Sequence, residues 1–557
     1  MKVKLIALVA MTVMAMSDSM VAQSKKAPDN WFNLDPSQDN VNGVSTERVY
    51  KELLKGKPSR TIVVAVIDSG VDANHEDLKD IMWTNPREVA GNGKDDDGNG
   101  YIDDVHGWNF IGGKNGKNVD ADALEITRLY AKYKKIYGDN PIASAYSGKA
   151  KREVEQYINI KKVVEEKRTE AKGNLDQISE QEKTVMDALK STAKALGDKP
   201  LTPENVDKID AGSDVGLMMG KRILAQVFQN SPETTTLDGV RKLMSEQFDE
   251  GRKYYNTQYN FQYNPDYDPR STIVGDNYDD FNERYYGNND VQGPDASHGT
   301  HVAGIIAAVR NNDKGMKGVA DNVRIMSIRC VPDGDERDKD VANAIRYAVD
   351  NGAQVVNMSF GKSYSWNKQI VDDAVRYAQK HDVLLVHAAG NDSEDNDNSD
   401  NFPNDKYAKS GWFSPKKAKN WLEVGALSWK SGEDAVARFS NYGKDQVDLF
   451  SPGVDIYSTV PGQEYAKFSG TSMASPVAAG VATMLRSYFP DLTAEQVIQI
   501  LMQSTIPMTS KIKRPGSTDL VMMSDLCRTG GVVNAYRAVE LASKTKGKKK
   551  KSATTMP

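Results

Sequence analysis

The sequence predicts an α/β protein: a doubly wound, mostly parallel sheet flanked by helices and interrupted by a largely α-helical insertion. Three observations carry that expectation. "TIVVAVID" (61–68) is an almost unbroken run of apolar and β-branched residues, as in a parallel strand covered on both faces. "VRIMSIRC", "AQVVNMSF" and "VLLVHAAG" repeat the signature, with helical patterns such as "KDVANAIRYAVDNG" between them, and such a series builds a parallel sheet. The alternation then stops near residue 120 and resumes near 270, which marks foreign material inside one domain.

The elements follow in chain order. Residues 1–22 read as a signal peptide. Lys2 and Lys4 supply the basic start, Leu5 to Met16 the apolar core, and cleavage falls after Ala22. The apolar run is short for a membrane span, so the expected location is exported: periplasmic, cell-surface or extracellular. A lead-in (23–60) precedes the first part of the α/β domain (61–118). The segment 119–261 is the insertion. Its "KREVEQYINIKKVVEEKRTEAKGNLDQ" stretch is highly charged, and Leu175, Ile178, Val185, Leu189 and Leu196 fall near a heptad seam. Pro203 after Thr202 opens a further helix. The α/β domain resumes over 262–540, and the basic low-complexity segment 541–557 reads as a disordered tail.

Composition bounds the partners. Hydrophobic residues make up 39% of the 557, enough for a sizeable core, and a net charge of −5 gives no reason to expect nucleic acid. The two cysteines, Cys330 and Cys527, either pair or remain isolated thiols.

The chemistry starts from "FSGTSMASPVAAG", where Ser472 stands at the head of an apolar helical run. A serine hydroxyl needs a base. "SHGTHVAGIIAA" offers His298, since imidazole titrates near neutral pH. His301 competes within the same motif and is assigned a structural role, and His387 reads as a core histidine inside a strand. An orienting carboxylate is available at Asp68, at the carboxyl end of a buried strand, where sites form in open α/β sheets. Asn391, after Ala388, Ala389 and Gly390, supplies an oxyanion donor together with the backbone N–H of Ser472. Pro476 is read as lying in the first turn, where its missing N–H is not needed.

A second loop, "GNGKDDDGNGYIDDVHGW", places Asp95, Asp97, Asn99 and the Tyr101 carbonyl as in the first half of an EF-hand-like calcium loop. His106 stands where a bidentate acid is expected, and Asp103 or Asp104 can substitute. Oxygen donors at alternating positions favour a structural Ca²⁺.

"VIDSGVD", "HGTHVAG", "AAGN" and "GTSMASP", in that order, resemble the motifs of the subtilisin-like serine proteases, the subtilases. The resemblance covers roughly 61–118 and 262–540. It implies a catalytic triad of Asp68, His298 and Ser472, and an oxyanion donor at Asn391. It also implies that Ser359, Phe360 and Gly361, with Ala389 and Gly390, line a cleft whose opposite edge is near Gly334. A protein or peptide substrate would add there as an extended strand. The family's structural calcium sites agree with the metal loop. The implied activity is that of an exported serine endopeptidase acting through an acyl-enzyme and needing no cofactor for its chemistry. The alternative is a catalytically impaired subtilase-fold peptide-binding or scaffold protein, against which the intact triad argues. Two features depart from the family: the lead-in is short for a folding-assistant propeptide, and the insertion separates Asp68 from His298. The insertion is accordingly expected to restrict access to the cleft or to assist folding.

Overall fold

The computed structural model describes residues 27–409 and 415–548. The segment read as a signal peptide and the part of the expected tail from 549 onward lie outside the described residues. The described residues form two compact units, 126–267 and, in two segments, 27–125 with 268–548.

The larger unit is built on a nine-stranded sheet. Its strands are β1 (Ile62–Asp68), β2 (Gly107–Asn109), β3 (Val323–Arg329), β4 (Val355–Met358), β5 (Leu384–Ala388), β6 (Trp421–Leu427) and β7 (Leu449–Pro452), closed at one edge by two-residue strands at 506–507 and 531–532. The order is 506–507, 531–532, β7, β6, β5, β4, β1, β3, β2. All neighbours are parallel except the 506–507/531–532 pair. The chain leaves β1 towards β3 and then returns to β4 on its other side. The carboxyl ends of β1 and β4 therefore diverge at a topological switch point, the usual place for a ligand crevice.

Helices cover both faces. On one face lie α1 (Ser297–Ala307) and α4 (Thr471–Tyr488), and on the other α2 (Asp338–Asp350) and α3 (Lys368–Lys380). α4 is the central helix. Ala474, Ala478, Ala479 and Ala482 are fully buried, and small side chains let its axis lie close against the strands. The segment read as a lead-in belongs to this core. Trp31, Phe32, Val44 and Val49 are buried in it, and Trp31 Nε1 donates to the Val454 carbonyl at 3.2 Å. At the other end a helix runs through Lys544, and Gln496 holds Lys546 and Lys548 by hydrogen bonds, so order extends past residue 541. Cys330 and Cys527 are both buried free thiols.

Within this unit Arg337 gathers the two chain segments that lead into and out of the insertion. Its guanidinium donates to Asp122 at 2.7 and 2.9 Å and to Asp268 at 3.3 Å.

The insertion is helical. Its longest element, Gly148–Leu196, runs for 49 residues. Val154, Tyr157, Ile160, Val164, Ala171, Ile178, Val185, Leu189 and Leu196 form its buried stripe, with seven-residue steps through the middle, while Leu175 is half-buried. Ile178, Val185 and Leu189 share a core with Ile223, Leu224 and Val227 of helix Val215–Asn230, and with Val240 and Phe248 of helix Leu237–Thr257. The Thr202 hydroxyl caps helix Pro203–Asp207, accepting from Asn205 N at 3.2 Å.

Candidate active site

β1 ends on Asp68, and α1 begins one residue before His298. Asp68 Oδ1 accepts from His298 Nδ1 at 2.7 Å and from the Ser69 N–H at 2.7 Å. The pair is close because Gly299 follows the histidine: a Cβ there would collide with the Gly70 carbonyl and lie 3.1 Å from Asp68 Cβ. Asp68 is buried, with a side chain 2% exposed, whereas the imidazole is 38% exposed and open on its far edge. Burial lowers the imidazole pKa, but the Asp68 charge and hydrogen bond outweigh it, and the net shift is upward. With Nδ1–H given to Asp68, Nε2 is left as the acceptor.

Ser472 is the second residue of α4. Its hydroxyl donates to the Ser359 carbonyl at 3.1 Å. The first turn of α4 explains why the Ser472 N–H is available. The Thr471 N–H goes to Asn391 Oδ1 at 2.8 Å and the Met473 N–H to the Gly470 carbonyl at 3.0 Å. No protein acceptor takes the Ser472 N–H among the described residues. Asn391 Oδ1 also accepts from the Thr471 hydroxyl at 3.0 Å, which turns its amide NH₂ outward. A Cβ on Gly470 would sit 3.6 Å from the Ser472 nitrogen and 3.7 Å from Asn391 Nδ2, so the two donors border one small space that glycine keeps clear.

Pro476 is the sixth residue of α4, not a first-turn residue as the sequence suggested. Its missing N–H leaves the Ser472 carbonyl, four residues back, without an intrahelical donor. The Ser359 hydroxyl fills that vacancy at 2.9 Å, and Asn357 Nδ2 in turn donates to Ser359 Oγ at 2.9 Å. This support was missed in the sequence, although counting four residues back from Pro476 signals the orphaned carbonyl.

The other histidines are engaged elsewhere. His301 is buried, its Nε2 donates to the Ala466 carbonyl at 3.0 Å and its ring stacks on Phe468. His387 is buried on β5 with Nδ1 3.0 Å from both Glu423 oxygens.

The expected cleft residues fall in three groups. Gly361 and Gly334 have no intramolecular partner for their peptide groups among the described residues. The neighbouring Lys362 pairs with Phe402, and Asp333 with Asp120 and Asp122. Ser359 and Phe360 continue directly from β4. Ala389 and Gly390 are internally bonded: the Ala389 N–H goes to Val424, the Gly390 N–H to the Thr471 hydroxyl, and the Gly390 carbonyl accepts from Asn441. They form a wall and leave no main-chain donor for a substrate.

The metal loop is only partly assembled as read. Glu88, which sequence reasoning did not single out, joins Asp95 and Asp97, with one oxygen of each within 4.8 Å of the others. Asp103 instead accepts from the Asn92 and Gly93 N–H groups. Asp104 accepts from Asn85, Asn99 and Tyr347, with its carboxyl pushed up to about 6 by burial. The Asn99 side-chain oxygen accepts from the Tyr101 N–H, and the Tyr101 ring packs against Trp108.

This fold, with an acid–imidazole pair at the end of one strand and a serine at the head of the central helix, is the arrangement of the subtilisin-like family. The Subtilase family profile matches residues 59–538, and the chain belongs to that family. Relatives include a thermophilic serine proteinase of Bacillus sp. (strain AK1), 42% identical over 34% of this chain and 43% of that protein. An intracellular serine protease of Paenibacillus polymyxa is 33% identical over 40% of this chain and 64% of its own length. Thermitase of Thermoactinomyces vulgaris is 35% identical over 44% and 75%. The chain thus spans between about two fifths and three quarters of these relatives. Among solved structures, a protease from Pseudoalteromonas arctica is 27% identical over 46% of this chain and 79% of its own, with a TM-score of 0.37.

Proposed function

We propose that the chain is an exported serine endopeptidase that cleaves extended peptide segments. The observation that carries this reading is the 2.7 Å Asp68–His298 hydrogen bond, taken together with a serine whose own N–H and the Asn391 amide border one vacant space. Ser472 Oγ rotates to His298 Nε2, gives up its proton and attacks the substrate carbonyl carbon. The oxyanion is stabilised by Asn391 Nδ2 and the Ser472 N–H. His298 then protonates the departing amine as the carbon–nitrogen bond breaks. Water deacylates the enzyme with the same base, while Asp68 holds the tautomer throughout. The free peptide groups of Gly361 and Gly334 suit main-chain pairing with substrate. Labelling by a fluorophosphonate tests this: wild type takes up the probe at Ser472, and His298→Ala does not. Uptake that is absent from wild type would favour the impaired, peptide-binding alternative.

Calcium is proposed for the 88–97 loop. Glu88 Oε2 is buried with no hydrogen-bond partner, and a cation held with Asp95 and Asp97 would satisfy it. Chelator should lower the melting temperature of wild type but not of Glu88→Gln. Export rests on the basic start and apolar stretch of residues 1–22. Among the described residues no helix is long and apolar enough to cross a membrane. Fractionation of the native host tests it. The insertion is proposed to act on cleft access or folding. Arg337 gathers its ends, so a short linker can replace 126–267; unchanged refolding yield and unchanged cleavage of a folded substrate would leave it passive.

A further inference from the structure

The insertion's own core is not closed. Its three longest helices, Gly148–Leu196, Val215–Asn230 and Leu237–Thr257, leave a cavity of about 200 Å³ between them. Val185, Met219, Ile223, Leu243, Met244 and Phe248 line it. Met219, Leu243 and Met244 are only half-buried, so apolar side chains from two helices face an opening instead of a partner. Protein cores ordinarily pack at the density of an organic crystal, and a gap of this size forfeits apolar burial. The apolar surface also runs past the cavity. Val215, Met219, Ile223 and Val227 follow at four-residue steps along one ridge of their helix, and Val215 is 73% exposed. A contiguous exposed apolar strip marks an interaction surface.

Size and charge select the occupant. An engineered cavity of about 150 Å³ holds a benzene ring, and pockets that enclose drug-sized ligands start at about 300 Å³. The cavity here therefore takes one or two side chains of a larger chain, and not a whole lipid or cofactor. The lining runs from Met219 to Asn230, about 16 Å or three turns along that helix. A helix with apolar side chains three and four residues apart matches that length. Gln226, Asn230 and Gln247 place amides at the edge, and Glu180 is the one charged residue of the lining. Glu180 is exposed and enters no ion pair among the described residues, whereas Asp176 and Glu182 on the same helix are held by Lys172 and Arg252. A lone carboxylate beside an apolar slot favours a partner with a cation next to its apolar face.

We infer that the insertion is a substrate-recruiting site: its groove takes an amphipathic helical segment of a protein substrate, with apolar anchors three or four residues apart and a lysine or arginine beside them. The consequence for cleavage rests on the protease reading above, while the groove itself is tested apart from it. Holding a substrate by a second segment raises the local concentration of its cleavable segment, so it lowers KM and leaves kcat alone.

The test uses the full chain. Binding is read on Ser472→Ala by fluorescence anisotropy, with a labelled helical peptide that carries leucines at every third or fourth position and lysines beside them. One control peptide replaces the leucines by Ser, and another the lysines by Glu. The leucine–lysine peptide is expected to bind, the serine control at least tenfold more weakly, and the glutamate control more weakly than the parent. Met244→Glu and Met219→Glu, on different helices, are each expected to weaken binding at least tenfold, and Glu180→Lys about fivefold. In steady-state kinetics on wild type, joining the peptide through a Gly/Ser linker to a short fluorogenic substrate is expected to lower KM at least tenfold with kcat unchanged. Cleavage of the short substrate alone is expected to be the same in wild type and Glu180→Lys.

No peptide binding, or binding that all three variants leave unchanged, overturns the groove. Binding of Nile red that the peptide does not displace makes it a small-molecule cavity and overturns the helical occupant. Binding without a fall in KM on tethering overturns recruitment. A chain that binds the peptide as expected but cleaves neither substrate overturns the protease reading and leaves the groove standing. If the two methionine variants do not fold, Glu180→Lys and the serine control decide.

Discussion

The Ser359 hydroxyl donates to the main-chain carbonyl of Ser472 at 2.9 Å, and the Ser359 carbonyl accepts from the Ser472 hydroxyl at 3.1 Å. The two residues are thus bonded reciprocally across the carboxyl end of β4. One half of that exchange exists because Pro476 cannot supply an N–H. The other half holds the Ser472 hydroxyl on the Ser359 carbonyl at rest.

Ser359→Ala therefore removes a donor to the Ser472 carbonyl, in the turn that carries the nucleophile. A buried acceptor left unsatisfied costs about 1–3 kcal/mol, which should appear as a lower denaturation midpoint. The kcat should fall by more than KM rises, because the Ser472 N–H shares that turn. Ser359→Thr keeps the hydroxyl and should restore most of both. A Ser359→Ala protein with wild-type stability and kcat would show that the proline-orphaned carbonyl is satisfied in another way.

Asn391 carries two tasks on one side chain: its oxygen holds Thr471 and its nitrogen faces the oxyanion space. Asn391→Asp keeps an acceptor for Thr471 but removes the donor. The loss of one oxyanion donor is worth about 2.7–4 kcal/mol in another protease, or roughly 10²–10³ in kcat. The expected outcome is a fall of that size with KM little changed, in steady-state kinetics on one peptide substrate. A loss confined to KM would assign Asn391 to ground-state binding instead.

The acid side of the pH–rate profile reports the imidazole, which must be neutral to accept the serine proton. Its pKa lies above the ordinary 6.5, so the acid limb should have its midpoint above that value. Asp68→Asn removes the charge that raises it and leaves burial, which lowers it. The midpoint should move down, and kcat should drop by about 10⁴-fold as the tautomer is lost. A limb that stayed in place in Asp68→Asn would mean that another group titrates there.

Much of this was legible from sequence, for reasons that differ by residue. β1 and Asp68 could be read because an unbroken β-branched run has one stable home, the middle of a parallel sheet, and an acid at its end has one outlet. The heptad stripe of the insertion could be read because spacing alone defines a helix face, and Ile178, Val185, Leu189 and Leu196 are buried as that spacing requires. Contacts made across the chain were not legible. Trp31 and Phe32 looked like lead-in because no local pattern announces that an isolated aromatic pair fills a distant core. Glu88 lies outside the Asp95–Asp104 spacing and reaches it only through a turn.

His301 provides a separate acid-sensitivity that its neighbour His298 does not share. Its ring is buried, and that burial, against the favourable bond to Ala466 and with some repulsion from His298, depresses its pKa from 6.5 to about 3. The unfolded chain takes up a proton near pH 6.5 that the folded chain refuses until about pH 3. Between those values the unfolded state binds more protons, so stability rises with pH and is lost as pH falls through the window. The full effect, reached only at the acid end, is on the order of 5 kcal/mol. His301→Gln replaces the ring with a side chain that still donates to Ala466 but does not titrate. It should be less stable than wild type at pH 7, having lost the stack on Phe468, yet lose less on going from pH 7 to pH 4. Urea unfolding at the two pH values measures both quantities, and parallel losses in the two proteins would place the acid-sensitive group elsewhere.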